Sequence, residues 1–436
     1  MEQIRYYEPQ KTVEDIDVLV VGGGFAGVSA AIRAGRLGKK VMIIEHTGCF
    51  GGIGTSGMVN CYSRFLQKGT NALANGGLFL EYLEASRKHL GKEICTDYFD
   101  GEWMKYYFDS ELRKANVRVL LHTTVYDVKK EDNRIISVLA ATMSGTVEIQ
   151  AKSYVDATGD GTLAVLSGCG FSMGDEDGNV QAGTLIARFA NTRWDEMLPR
   201  PEMKAKWKEL TPAMNLKNTA KNLLLYTIPP KNTTSFNTTC LPVKDPTDPF
   251  ALSQAMMDGR EQIQELEDFC RNNLPGMEEA GTVASGTLLG VRETRRIHCR
   301  YQLTAEDLME SRKFKDEIAR GCYSMDIHMP DGSIKMMRIP AGTYYTIPYR
   351  SLVTAEVDNL LIAGRCIGAT HEAIGAVRIM PIATCTGEAA GAAAALASET
   401  DGNAAAVDVK RLQETLISGG ALICEVPGPV MEVEIC

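Results

Sequence analysis

The stretch VLVVGGGFAGVSAAIRAGRLGKKVMIIE, residues 18–45, constrains the fold more than any other part of the chain. Residues 17–21 form an apolar, β-branched run bounded by glycine, the pattern of a strand buried on both faces. From residue 25 to 37 the apolar positions recur at helical spacing and stop at Gly38, a residue suited to a helix C-terminus. Residues 40–45 read as a second strand. The result is one βαβ unit, whose right-handed crossover lays both strands parallel in one sheet.

The glycines between strand and helix divide the work. In Gly22-x-Gly24-x-x-Gly27 the first permits a tight turn, the second lets backbone approach a pyrophosphate, and the third lets helix and strand pack closely. Phosphates would then face the free N–H groups of the helix start, where the dipole favours negative charge. Glu45 stands 18 residues beyond Gly27, at the end of the second strand, where a carboxylate accepts both ribose hydroxyls. The same charge repels a 2′-phosphate, so NADP is the wrong ligand. The pattern predicts dinucleotide binding, FAD or NAD.

Further along, residues 102–115 read as a helix and 117–121 as a third parallel strand. Alternating stretches at 122–130, 134–142 and 146–151, separated by Glu131-Asp132-Asn133 and Ser144-Gly145, predict an antiparallel meander. Residues 153–157 return to a short buried strand that ends in Ala157-Thr158-Gly159-Asp160-Gly161. Regularity then lapses until a strand at 359–363, a loop at Gly364-Arg365 and an alanine-rich helix at 381–397. A dinucleotide domain of 1–57, 101–171 and 346–400 would thus enclose an α+β cap of 58–100 and 172–345, with 401–436 as a C-terminal extension. The inserted meander, the Ala157–Asp160 turn and the distal strand NLLIAGR all suit a ligand longer than NAD, which favours FAD.

Composition narrows the rest. A net charge of −9 without a long Lys/Arg block argues against nucleic acid. No run of 18 uncharged apolar residues occurs, and MEQIRYYEPQ lacks the basic-then-apolar pattern of an export signal, so neither a membrane span nor general secretion is expected. Twelve scattered cysteines with no C-x-x-C read as reduced thiols of a cytoplasmic protein; a dithiol reductase and a metal site are both disfavoured.

The segments VVGGGFAGVSAA, IIEHTGCFGGIGTSGMVN, VDATGDGTLA, LGVRETRRI, YYTIPYRSL and NLLIAGRCIGATHEAIGAVRIMPIATCTGEAAGAAAAL span nearly the whole chain. In them the chain resembles the FAD-dependent oxidoreductases of the glutathione-reductase fold. More narrowly, it is similar to the broad bacterial family that also includes the flavin subunit of heterodisulfide reductase. The resemblance implies an α/β, Rossmann-like FAD-binding domain in which Gly22, Gly24, Gly27 and Glu45 hold the AMP half. It places Gly51, Gly52 and Thr55 along the pyrophosphate and flavin edge, and Gly364 with Arg365 at the ribityl region. Phe25, Ala26, His46, Val125, Ala157, Gly159 and Pro381 complete the expected cofactor contacts. His46 belongs at the adenosine end, far from the dimethylbenzene edge, so the FAD is expected to be non-covalent. Pro381 suits the first turn of the alanine-rich helix, whose positive end would face the flavin pyrimidine edge.

On the substrate side, Arg292-Glu293-Thr294-Arg295-Arg296, followed by His298, suits an anionic substrate or an internal ion-pair network. Two loop histidines, His328 in MDIHMPDG and His371 in GATHEAIG, are candidate acids or bases. His371 falls between the FAD strand and the FAD helix, and Arg378 shares its loop. The catalytic candidates are therefore His371, His328, Arg378 and Arg292, with Tyr344 and Tyr345 stacking on the ring or simply packing. The expected function is hydride transfer between flavin N5 and a small polar organic substrate, anionic or neutral. An external electron acceptor is expected because no second glycine fingerprint appears, and association with copies of itself stays open. Two alternatives stand beside it. One is a biosynthetic, thiazole synthase-like role using Cys49, Cys61 or Cys366. The other is a flavin-free binding scaffold, which the intact fingerprint and Glu45 speak against.

Overall fold

The computed structural model describes Pro9 and residues 11–435. The reading of the opening segment, at residues 1–8 and Gln10, lies outside the described residues, as does Cys436. The βαβ unit is present as β1 (Lys11–Val21), α1 (Phe25–Arg36) and β2 (Val41–Ile44), with Val18 opposite Val41 in parallel register. β1 begins six residues earlier than the apolar run predicts, because its outer half is mostly polar and exposed, with only Val13 and Ile16 turned inward, while its inner half is continuously apolar and buried.

Two helices follow, α2 (Leu78–His89) and α3 (Gly101–Lys114), the second capped by the Asp100 carboxylate on Glu102 and Trp103 N–H. The sheet then continues with β3 (Arg118–Leu120), β4 (Thr124–Glu131), β5 (Arg134–Thr142) and β6 (Gly145–Asp156), in the order β3-β2-β1-β6-β5-β4. β6 is one strand where the sequence pattern predicts two. It runs parallel to β1 along its whole length, from Lys11↔Val147 to Val21↔Asp156. Its other edge forks: the first half pairs antiparallel with β5, and the last residues pair parallel with β15 (Leu360–Ile362). Asn359 stitches the fork, its side chain exchanging two 2.9 Å hydrogen bonds with the Ile135 backbone.

After β6 comes the short α4 (Thr162–Leu166). A second apolar core then forms within residues 185–289, around β7 (Ala187–Ala190), α5 (Arg200–Leu210), β8 (Leu225–Ile228), β9 (Thr233–Phe236), α6 (Pro249–Asn273) and β10 (Gly281–Ser285). The strands make an antiparallel sheet in the order β8-β9-β7-β10, and Trp207, Phe236 and Phe269 fill its interior. Apolar contacts divide differently from the expected grouping, since Phe65, Phe79, Phe99 and Tyr345 belong to the first core.

Against the first core pack α7 (Ala305–Met309), the antiparallel pair β11 (Glu317–Gly321) with β14 (Tyr345–Pro348), and, between these two strands in sequence, the hairpin of β12 (Met325–His328) with β13 (Ile334–Met337). The chain ends its return to the main sheet with α8 (His371–Val377) and α9 (Met380–Ala397). α9 is almost wholly buried and crosses α1 at backbone contact: a Cβ on Gly387 or Gly391 would strike the carbonyl of Ala26 or Ala30. Among the described residues no single helix is long and apolar enough to cross a membrane. α8 and α9 pass such a test only as a pair, and they are bent by 93°.

Candidate active site

At the first turn, Gly22 adopts φ +99°, and a side chain there would meet the backbone of Ala157 and Thr158. A Cβ on Gly27 would collide with the Gly22 carbonyl, so these two glycines seal the crossing of strand and helix. Gly24, the N-cap of α1, differs: nothing lies within 4 Å of where its Cβ would be. Open space therefore lies over the first-turn amides of Phe25, Ala26 and Gly27, which have no acceptor within the helix. Gly51 and Gly52 flank this space, Gly51 donating its N–H to Gly23 O at 2.8 Å and pairing with Gly24. Thr55 Oγ1 donates to Phe50 O and so fixes the loop from below.

Glu45 is buried beside it. Its carboxylate accepts Gly23 N–H at 2.7 Å and Thr47 N–H at 2.8 Å, with His46 Nδ1 3.0 Å away. Burial alone would push the carboxyl up, but the bonds from His46 and Thr47 outweigh it and hold it below its ordinary value. His46 is raised in turn, chiefly by Glu45. The carboxylate is thus ionised, and with Oε1 taken by Thr47 and His46 it keeps about one lone-pair site, on Oε2, for a hydroxyl donor. Thr123 N–H bonds to Glu45 O, which brings the start of β4 and the buried Val125 alongside. An open N-terminal cradle with an ionised acid at its rim fits the adenosine diphosphate half of a dinucleotide.

The distal elements converge on the same helix end. Gly364 lies against Ala26, and its N–H donates to Thr386 Oγ1 on α9. α9 opens with Ile379 as N-cap and Pro381 in its first turn, and Gly54 sits between Phe25 and Met380. The Arg365 guanidinium bonds Asp160 Oδ1 (2.7 Å) and Thr294 Oγ1 (3.2 Å) and packs over Gly159, while the backbone of Gly364 is presented to α1. Ala157 closes the floor, its N–H on Val21 O.

Three of the four catalytic candidates meet around a carboxylate. Asp326 has His328 Nε2 at 3.2 Å, receives Tyr323 OH at 2.9 Å, and accepts Arg378 Nη2 on its main-chain oxygen at 3.2 Å. Burial would raise the Asp326 carboxyl, but His328, Arg378 and Arg292 hold it well below the carboxylate range. Burial and then Arg292 push His328 down to about 4, against the pull of Asp326. Burial, with Arg378 adding to it, lowers Arg292 to about 10, and its guanidinium donates to Ala182 O. α8 presses this strand into place, with Gly375 against the Asp326 backbone. Arg378 follows α8 and stands just ahead of the start of α9.

His371 stands apart from this group. It is the first residue of α8 rather than a loop residue, and its Nδ1 lies 2.8 Å from the fully buried Glu293, which also pairs with Arg296. Arg296 goes on to the carbonyls of Ala369 and Gly174, and Arg295 Nε to Asp160 O. The dense basic run is therefore an internal network. Backbone geometry sends its arginines to separate acceptors, and Arg292 faces a cavity. Of the two tyrosines, Tyr345 packs, buried with its hydroxyl on Tyr323 O, and Tyr344 lies between Lys313 and Arg320, with Arg320 4.4 Å from its centroid. Cys366 is buried, and its thiol is pushed far up by burial; Cys49 lies 3.1 Å from Ser56 Oγ. Sequence reasoning missed Asp326. The signal was the spacing Asp326-x-His328, which puts both side chains on one face of a strand.

A family model described as FAD dependent oxidoreductase matches residues 17–416. The chain belongs to this family. It is a flavoenzyme oxidoreductase with FAD as its cofactor. A curated thiamine thiazole synthase from Desulfosudis oleivorans is 28% identical to this FAD-dependent oxidoreductase over 172 residues, which cover 37% of this chain and 62% of that protein. Among solved structures, a geranylgeranyl bacteriochlorophyll reductase-like protein from Thermoplasma acidophilum aligns over 93% of this oxidoreductase and 84% of its own chain, at 13% identity and TM-score 0.49. The flavin-dependent brominase Bmp2 aligns over 93% and 83%, at 13% identity and TM-score 0.48. The p-nitrophenol 4-monooxygenase PnpA of Pseudomonas putida aligns over 93% and 84%, at 12% identity and TM-score 0.46.

Proposed function

We propose that this enzyme moves a hydride between FAD and a small polar organic substrate held beside His328. The observation that carries the reading is the convergence of His328, Asp326, Arg292 and Arg378 immediately ahead of α9, the helix whose start adjoins the glycine cradle. The reading holds FAD non-covalently in the glutathione-reductase manner, with Gly24, Gly51 and Gly52 at the pyrophosphate, Glu45 at the ribose, and Gly364 and Pro381 toward the ring. When bound, FAD supplies a two-electron acceptor at N5.

The chain's own residues supply the proton chemistry. His328 is neutral at ordinary pH, and with Nε2 directed at Asp326 its Nδ1 is left to take a proton from a substrate hydroxyl or amine. Asp326 orients the ring and steadies the imidazolium that results. Arg378 and Arg292 position the substrate and hold its polar groups in a dry site. Electrons then leave to an external acceptor. Anaerobic mixing of the FAD-loaded protein with hydroxy acids, amines and sugars is expected to bleach the flavin band with at least one compound. His328→Gln should slow that bleaching about 100-fold while flavin content stays the same. Bleaching by carrier proteins alone would replace hydride transfer with an electron-transfer role.

A biosynthetic reading draws on the thiazole synthase match and needs a reactive cysteine, for which Cys49 and Cys61, both partly exposed, are the candidates, with Cys49 facing Ser56. Alkylating these thiols separates the two readings: it leaves bleaching intact under hydride transfer and abolishes turnover under the other.

A further inference from the structure

Resting on the hydride-transfer reading, we propose that the cavity beside His328 seats the carboxylate group of a small organic acid, anchored by Arg292 and steered at its mouth by Lys221. The cavity lies between the second core and the β12–β13 hairpin, and Arg292, His328, Lys221, Asn237, Thr239 and Ser333 are among its walls. No Asp or Glu lines it, whereas two cations do. Arg292 is 8% exposed, and its hydrogen bond goes to a neutral carbonyl, that of Ala182. The nearby acid, Asp326, is shared among Arg292, Arg378, His328 and Tyr323. Buried positive charge therefore exceeds buried negative charge at this point. Such an excess is costly in a protein interior, and an incoming anion offsets it.

Shape and donors point to a carboxylate rather than to a bulkier anion. The cavity measures about 30 Å³, space for one or two water-sized groups. That admits a carboxylate head with the rest of the molecule directed outward. A guanidinium matches the two oxygens of a carboxylate as a fork. Asn237 Oδ1 accepts from Thr184 at 2.9 Å, which leaves its Nδ2 as a donor. Lys221 is exposed and provides attraction from outside.

Acetate and propionate, each paired with its amide, are titrated into the FAD-loaded protein and followed by calorimetry and flavin absorbance. Both acids should bind about tenfold or more tightly than the amides. Arg292→Met should bring the acids down to the amide level, with flavin content unchanged. Lys221→Gln, a surface change that spares folding, should weaken acid binding about threefold and reduce its salt dependence. The proposal falls if acids and amides bind alike, if neither binds, or if Arg292→Met binds acids as the native chain does. Should Arg292→Met fail to fold, an unchanged salt dependence in Lys221→Gln overturns it. The two readings fail separately. Acids that bind without any hydroxy or amino acid bleaching the flavin would remove hydride transfer and leave the cavity assignment. Bleaching by neutral sugars without acid binding would do the reverse.

Discussion

Gly24 and Gly27 lie three residues apart and answer to different constraints. Gly27 has no room for a methyl group because the Gly22 carbonyl occupies the place, whereas Gly24 looks into open space at an ordinary negative φ. Gly27→Ala should therefore lower the melting temperature of the cofactor-free protein and abolish flavin retention. Gly24→Ala should melt like the native apoprotein yet bind FAD about tenfold or more weakly by fluorescence titration, since the methyl fills the cradle. His328 yields a second expectation. Its native proton affinity sits at about 4, against 6.5 unfolded, so between those values the unfolded chain binds more protons. Stability should be full above about pH 6.5 and fall as the pH drops toward 4. The lowered Asp326 carboxyl adds a loss in the same direction further down. Urea midpoints for His328→Asn should vary less across that window. The glycine roles were legible because each type of turn tolerates few residues. The fates of Arg292, Arg295 and Arg296 were not, because neighbours in sequence point to different acceptors once the backbone turns.

Helices α1 and α9 meet along Gly387 and Gly391, and the same contact is tied by the Arg33–Glu388 ion pair, whose side chains are 9% and 2% exposed. Glu388 also accepts Leu78 N–H at 2.9 Å and so caps α2. Glu388→Leu leaves a buried guanidinium without its partner and should cost about 3–5 kcal/mol in chemical denaturation. Adding Arg33→Met should recover at least half of that loss, the remainder being the uncapped α2. The elements themselves were largely readable, since α1, α3 and α9 lie within a residue or so of the ranges their spacing predicts. β6 was read as two strands because its pattern changes midway. Its first half has the exposed meander on one side, and its second half is enclosed by β1 and β15, so alternation gives way to continuous burial from Ser153 to Asp156.

At the scale of the molecule, the main sheet is assembled from distant parts of the chain. The edge of β6 from Tyr154 to Asp156 is covered by Leu360–Ile362, and the cradle is bordered by the first turn of α9. A chain ended after residue 345 should hold no flavin and show no single cooperative melt, as read by absorbance and circular dichroism. The irregular region before it was the least legible, because its order comes from contacts remote in sequence, such as Trp207 with Phe269 and Asp326 with Arg378. The late arrival of β15 also bears on synthesis. A cofactor that meets the nascent polypeptide before residues 360–397 have been made finds half a seat, since they supply the missing rim. Loading must wait for that segment, and flavin that arrives earlier meets a groove with one wall still unbuilt.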